Sequence, residues 1–143
     1  MTREEFIKTC GLACCGGLFL TSILEGCGSS QVVAGTIDQS NLVVPLSVFQ
    51  HNEGDFLKYV VVQNELLKYP VCVYRISEGK YTALWMRCTH QGAELQVFGD
   101  RLECPAHGSR FGNTGNVENG PAETNLRTFP VTVLNNQIHI SLK

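Results

Sequence analysis

Two short boxes near the middle of the chain carry residue types that bind metal. They are Cys88-Thr89-His90 and Cys104-Pro105-Ala106-His107-Gly108-Ser109, with 13 residues (91–103) between them. Each supplies one thiolate and one imidazole. Zinc also accepts two Cys and two His, but its usual pairings are C-x2–4-C and H-x3–5-H. These four residues show neither spacing. C-x-H is tight for one ion and natural for two. The order C-x-H…C-x-x-H therefore suits a [2Fe–2S] cluster with two Cys on one iron and two His on the other. Each box then gives its Cys to one iron and its His to the other, so neither box holds the cluster alone.

That ligand set has consequences for redox chemistry. Thiolates are anionic and favour ferric iron. Neutral imidazole lowers the negative charge of the site and makes its iron easier to reduce. Such centres span roughly −150 to +300 mV, against roughly −400 mV for four-Cys plant-type clusters. An imidazole bound through one nitrogen keeps the other free to titrate, so electron uptake can couple to proton uptake. A quinol, which gives up both, is a donor that fits.

Residues 87–131 resemble the cluster-binding part of a Rieske iron–sulfur domain. The matching stretches are Cys88-Thr89-His90-Gln91-Gly92-Ala93, Cys104-Pro105-Ala106-His107-Gly108-Ser109 and Asn119-Gly120-Pro121-Ala122, followed by Phe129-Pro130-Val131. The resemblance extends more weakly from about residue 41 to the end. It implies an all-β fold, a small antiparallel β-sandwich with two cluster-binding loops at one end. It also implies one [2Fe–2S] cluster per chain, held by Cys88, His90, Cys104 and His107. Around these, Ser109 is expected to donate to a cluster sulfur, and Gly92 and Gly108 to let the backbone pass close by. Pro121 resembles the family's covering proline loop, an ordinary rigid turn being the alternative.

The departures from the family are informative. Quinol-oxidising members carry an extra Cys in each box, joined as a disulfide between the loops. Here those places hold Ala93 and Ala106. The same members place a Tyr two residues after the box Ser, where this chain has Phe111. Hydrogen bonds to cluster sulfurs stabilise the reduced state and raise the potential. With Ser109 kept and that hydroxyl missing, the expected potential is intermediate, below that of the quinol-oxidising enzymes.

The chain has 143 residues and a net charge of −2 with no basic run. That is enough for one domain and argues against a nucleic-acid partner. Residues 1–26 read as a signal peptide. Arg3 and Lys8 precede an apolar run over residues 10–24, whose ~22 Å as a helix falls short of a bilayer's ~30 Å core. Residues 2–8 look like a twin-arginine export signal with Glu4 in place of the second Arg. Leu24-Glu25-Gly26-Cys27 is similar to a lipoprotein cleavage box, so Cys27 is the expected lipidation site. An uncleaved short anchor helix and a free soluble protein are the alternatives. Residues 27–40 are expected to form a tether and residues 41–143 the cluster domain. Cys72 alone is left over, in an apolar run where it reads as a small buried hydrophobe.

The body reads as short strands and turns. Hairpin signals fall at Ser77-Glu78-Gly79, Gly99-Asp100 and Asn135-Asn136. Helix signals after residue 30 are weak, and no internal repeat or low-complexity tract is visible. The boxes fall at strand ends, on loops, with the imidazoles of His90 and His107 expected at an exposed tip. His51 and His139 lack ligand spacing. The expected function is one-electron transfer at the bacterial cell envelope, on the periplasmic side. The expected partner is a redox protein, either a cytochrome or an oxidoreductase subunit. The alternatives are the iron–sulfur subunit of a quinol–cytochrome c reductase and the ferredoxin component of an oxygenase system.

Overall fold

The structure is a computed structural model that describes residues 31–143. The expected signal peptide and the Cys27 lipidation site lie outside the described residues. In chain order the strands are β1 (Val32–Ala34), β2 (Thr36–Asp38) and β3 (Asn41–Pro45), then one 3-10 turn at Leu46–Phe49. Next come β4 (Gln50–Asn52), β5 (Asp55–Phe56), β6 (Tyr59–Gln63), β7 (Val71–Ser77) and β8 (Lys80–Trp85). The second half holds β9 (Gln96–Phe98), β10 (Arg101–Glu103), β11 (Arg110–Gly112) and β12 (Val117–Asn119). It ends with β13 (Thr128–Phe129), β14 (Val131–Leu134) and β15 (Gln137–Ser141). The all-β expectation holds. Among the described residues no helix is long and apolar enough to cross a membrane.

The strands form three main sheets, ordered β1-β6-β7-β8-β13, β12-β11-β10-β9 and β14-β15-β3-β2. The first is the middle layer, and β7 shows why. Val71, Cys72, Val73 and Tyr74 are all essentially inaccessible to solvent. Side chains alternate across a strand, so a continuous apolar run needs cover on both faces. Val71 and Val73 pack in one core with Leu42, Val44, Ile138 and Ile140 of the β3–β15 sheet. Cys72 and Tyr74 pack in another with Leu95, Leu102, Phe111, Cys88 and Cys104. One face of β7 thus supports the scaffold sheet and the other supports the metal-box sheet. Each fully buried Val contributes at most about 1.5–3 kcal/mol.

Three hairpins fall where their turn residues predict. β7 and β8 join across Glu78-Gly79 and β9 and β10 across Gly99-Asp100, with Gly79 and Gly99 at positive φ. β14 and β15 join across Asn135 and Asn136, at φ 51° and 59°, the double left-handed turn that Asn tolerates. Two details differ from expectation. The tether expected over residues 27–40 overlaps β1 and β2, so the folded domain starts well before residue 41. β1 pairs with β6 in parallel, Val32 opposite Val61, while β2 pairs antiparallel with β3. Gly35 lets the chain cross between the two sheets, because a Cβ there would lie 2.6 Å from both Leu42 and Val62 side-chain carbons. The stretch Phe129-Pro130-Val131 is divided between two sheets at Pro130. β13 pairs with β8, whereas β14 belongs to the other sheet. Pro has no N–H to continue the first ladder.

Candidate metal centre

The first box lies on the loop between β8 and β9, and the second on the loop between β10 and β11. The two loops have the same backbone form. In the first, the Cys88 N–H donates to Ala93 O at 2.8 Å and the Gly92 N–H donates to Cys88 O at 2.8 Å. In the second, the Cys104 N–H donates to Ser109 O at 2.8 Å and the Gly108 N–H to Cys104 O at 2.9 Å. Gly92 and Gly108 take φ of 78° and 79°, a region that glycine enters without a Cβ penalty. Below each loop one residue pair closes the base, Arg87 opposite Glu94 and Glu103 opposite Arg110. The second base adds an ion pair, Arg110 Nε to Glu103 Oε1 at 3.2 Å. The chain therefore repeats an eight-residue hairpin, with Cys second and Gly sixth. In the first copy the His stands two residues after Cys, and in the second it stands three after.

That offset brings the imidazoles together. The rings of His90 and His107 meet edge to face, centroids 4.9 Å apart and planes at 90°. The thiols of Cys88 and Cys104 are free and buried in the shared core, while His107 is exposed and His90 half-buried. Two sulfurs thus lie inward and two imidazoles outward. His90 Nδ1 is buried with no hydrogen-bond partner. A polar atom shut away from water in this manner is costly unless something binds it. A metal ion would bind it, and the soft-sulfur and imidazole donor set suits iron–sulfur chemistry. Among the described residues no group of three or more Cys, His, Asp or Glu side chains is gathered as a single-ion site.

A third loop, between β12 and β13, closes over the pair. The Ala122 N–H donates to Ser109 Oγ at 3.0 Å, and Thr89 Oγ1 donates to Thr124 O at 2.6 Å. Thr89, His90, Pro121, Glu123 and Thr124 line a shallow hollow beside the half-buried ring. Pro121 is exposed and follows a cis peptide bond. Ser109 is fully buried, and its oxygen spends a lone pair on Ala122 while its own hydrogen stays free to donate. Phe111 is fully buried in the same core as both thiols and brings no hydroxyl.

Residues 31–130 match the family of the Rieske [2Fe-2S] domain. The chain belongs to that family. The ferredoxin component of the naphthalene 1,2-dioxygenase system of Pseudomonas putida is 35% identical over 94 residues, which are 63% of this chain and 85% of that protein. The iron-sulfur subunit 1 of the cytochrome b6-f complex of Synechocystis is 41% identical over 56 residues, 38% of this chain and 32% of that subunit. Among solved structures, the plasma membrane Rieske protein PetC3 of Synechocystis PCC 6803 superposes with a TM-score of 0.52 at 30% identity. That superposition covers 59% of this chain and 86% of PetC3. A chain from the complex of oxygenase and ferredoxin in carbazole 1,9a-dioxygenase gives 0.55 at 26% identity, covering 74% and 96%.

This Rieske domain carries one [2Fe–2S] cluster, and its function is electron transfer with a redox partner. Two further residues shape the site, and one of them, Tyr69, lies outside the motifs. Tyr69, before β7, donates its hydroxyl to Gly92 O at 2.7 Å. Asn119 sends its Nδ2 toward Gly108 O at 3.4 Å and Gly120 O at 3.1 Å. Asn119 was visible beside the proline loop. Tyr69 had no local signal, because its partner is 23 residues away.

Proposed function

We propose that Cys88 and Cys104 hold one iron, that His90 and His107 hold the other, and that the chain is a small electron carrier of the cell envelope. The observation that carries the ligand assignment is the paired hairpin, with both thiols buried and the two imidazoles edge to face, 4.9 Å apart, at the outer side. When bound, the cluster takes up and releases one electron at a time. The chain's own residues do the rest. The buried thiolates exclude water from the inner side. The exposed His107 offers the edge at which a partner docks. The Ser109 O–H, not used by the Ala122 amide, is left free to donate to the cluster. Ala93 and Ala106 leave the loops without a cross-link, and the third loop holds them instead.

The envelope location rests on residues 1–26 read as an export signal and on Cys27 as the acylated residue. Cys27 stands four residues before the first described residue. A lipid there would keep the domain at the membrane surface, on the extracytoplasmic side. A second reading is a ferredoxin component serving an oxygenase. It is favoured by the match to the naphthalene dioxygenase ferredoxin, which spans 85% of that protein, whereas the cytochrome b6-f match is confined to 56 residues.

Redox titration followed by electron paramagnetic resonance, with iron and acid-labile sulfide analysis, tests the assignment. Equal amounts of iron and sulfide and an intermediate, pH-dependent potential are expected. One metal atom per chain without sulfide would overturn it. Fractionation of cells grown with labelled palmitate tests the tether, and an unlabelled cytoplasmic protein would favour the oxygenase reading.

A further inference from the structure

The matched loops share one more feature. In each, the carbonyl of the positive-φ glycine accepts a hydrogen bond from a side chain outside the loop. Tyr69 reaches Gly92 O at 2.7 Å, and Asn119 reaches Gly108 O at 3.4 Å. The Tyr69 bond is the shorter, and it is braced. Its ring stands edge-on to Trp85, centroids 5.7 Å apart, and Trp85 stands edge-on to Phe129 at 5.6 Å. Both neighbours lie on paired strands of the middle sheet. The hydroxyl is thus mounted on the scaffold rather than on the loop it holds.

The peptide linking Gly92 to Ala93 is trans, so its C=O and N–H point in opposite directions. A carbonyl held outward by Tyr69 fixes the Ala93 N–H inward. Among the described residues the Ala93 amide donates to no backbone acceptor, and the equivalent Ser109 amide does not either. A donor aimed inward with no protein partner is available to a cluster sulfur, where it favours the reduced state. We infer that Tyr69 is a positioning residue for the first ligand loop, setting the Ala93 amide toward the cluster and thereby tuning its potential and retention. This rests on the ligand reading above. No sequence motif marks Tyr69, and its ring contacts alone would make it a packing residue.

The test is Tyr69→Phe in the cluster-loaded full chain. The substitution keeps the ring against Trp85 and removes only the hydroxyl. The expected results are a lower potential, altered g-values in the reduced spectrum, and cluster loss to a chelator faster by roughly two- to tenfold, the worth of one hydrogen bond. Site-specific 3-fluorotyrosine at position 69, a stronger donor, should move the potential upward. Tyr81→Phe is the control, since Tyr81 packs on Phe49 in the core that does not contain the ligand thiols. An unchanged potential and spectrum in Tyr69→Phe overturns the inference, even with a lowered melting temperature, because that pattern is plain packing. A wild-type chain without an iron–sulfur spectrum overturns the ligand reading and this inference together. A wild-type spectrum that the variant reproduces overturns this inference alone.

Discussion

The Ser109 hydroxyl accepts the Ala122 amide at 3.0 Å, tying the second ligand loop to the third loop in a position closed to solvent. One oxygen therefore has two jobs. Its lone pair satisfies a backbone donor, and its hydrogen is left free to donate to a cluster sulfur. Ser109→Ala removes both. The orphaned buried amide should cost about 1–3 kcal/mol, and the potential should fall. Thermal melting and redox titration of the same samples check this. A lower melting point with an unmoved potential would leave Ser109 as a latch only.

Phe111→Tyr adds a hydroxyl beside the two buried thiols. If that hydroxyl reaches a cysteine sulfur, the potential rises, as sulfur hydrogen bonds favour the reduced state. The competing outcome is a buried hydroxyl without a partner, which costs about 1–3 kcal/mol and leaves the potential alone. The expected result is the rise, read by redox titration.

How far the sequence reveals this site depends on how local each feature is. The boxes are legible because metal chemistry dictates Cys and His at short spacing. The turns at Glu78-Gly79, Gly99-Asp100 and Asn135-Asn136 are legible because turn chemistry acts within a few residues. β1 and β2 were not, because Val32 to Asp38 becomes strand only by pairing with β6 and β3. The repeated hairpin is masked because the His shifts by one step and the Arg and Glu at the base exchange places. Tyr69 is hidden for the same reason as β1, since a bond spanning 23 residues leaves no local pattern.

Thr89 sits between the two ligands of the first box, and its hydroxyl donates to Thr124 O at 2.6 Å. Thr89→Val keeps the shape and deletes that bond. The bond is open to solvent, so water replaces the partner and global stability should change by less than about 1 kcal/mol. The third loop, however, loses one of its two ties to the ligand loops. Faster amide exchange at residues 122–125 is expected, with faster cluster loss to a chelator. Exchange mass spectrometry decides the point, and unchanged protection there would show that the Ser109 tie alone suffices.

Cys72 and Tyr74 give the domain an alkaline limit. They are neighbours on the inner face of β7, below the ligand loops. Burial pushes the Cys72 thiol well above its ordinary 9.0, with the Tyr74 hydroxyl opposing this in part. Burial also pushes the Tyr74 phenol above its ordinary 10.0, with the nearby Cys72 adding to it. The hydroxyl has no hydrogen-bond partner of good geometry, the neighbouring thiol included. Both acids stay protonated in the fold and ionise in the unfolded chain. Their contribution is complete below about pH 9 and is lost progressively as pH climbs, at up to ~1.4 kcal/mol per pH unit for each group. Cys72→Val removes the thiol at nearly constant volume. Its denaturation midpoint should therefore fall less steeply than the wild type's between pH 9 and pH 10.5, with parallel behaviour below pH 8. Taking the difference between the two proteins cancels the contribution of every ionisable group that both retain. Parallel curves across the whole range would show that the thiol ionises as easily in the fold as outside it, and that β7 is less securely closed than its burial indicates.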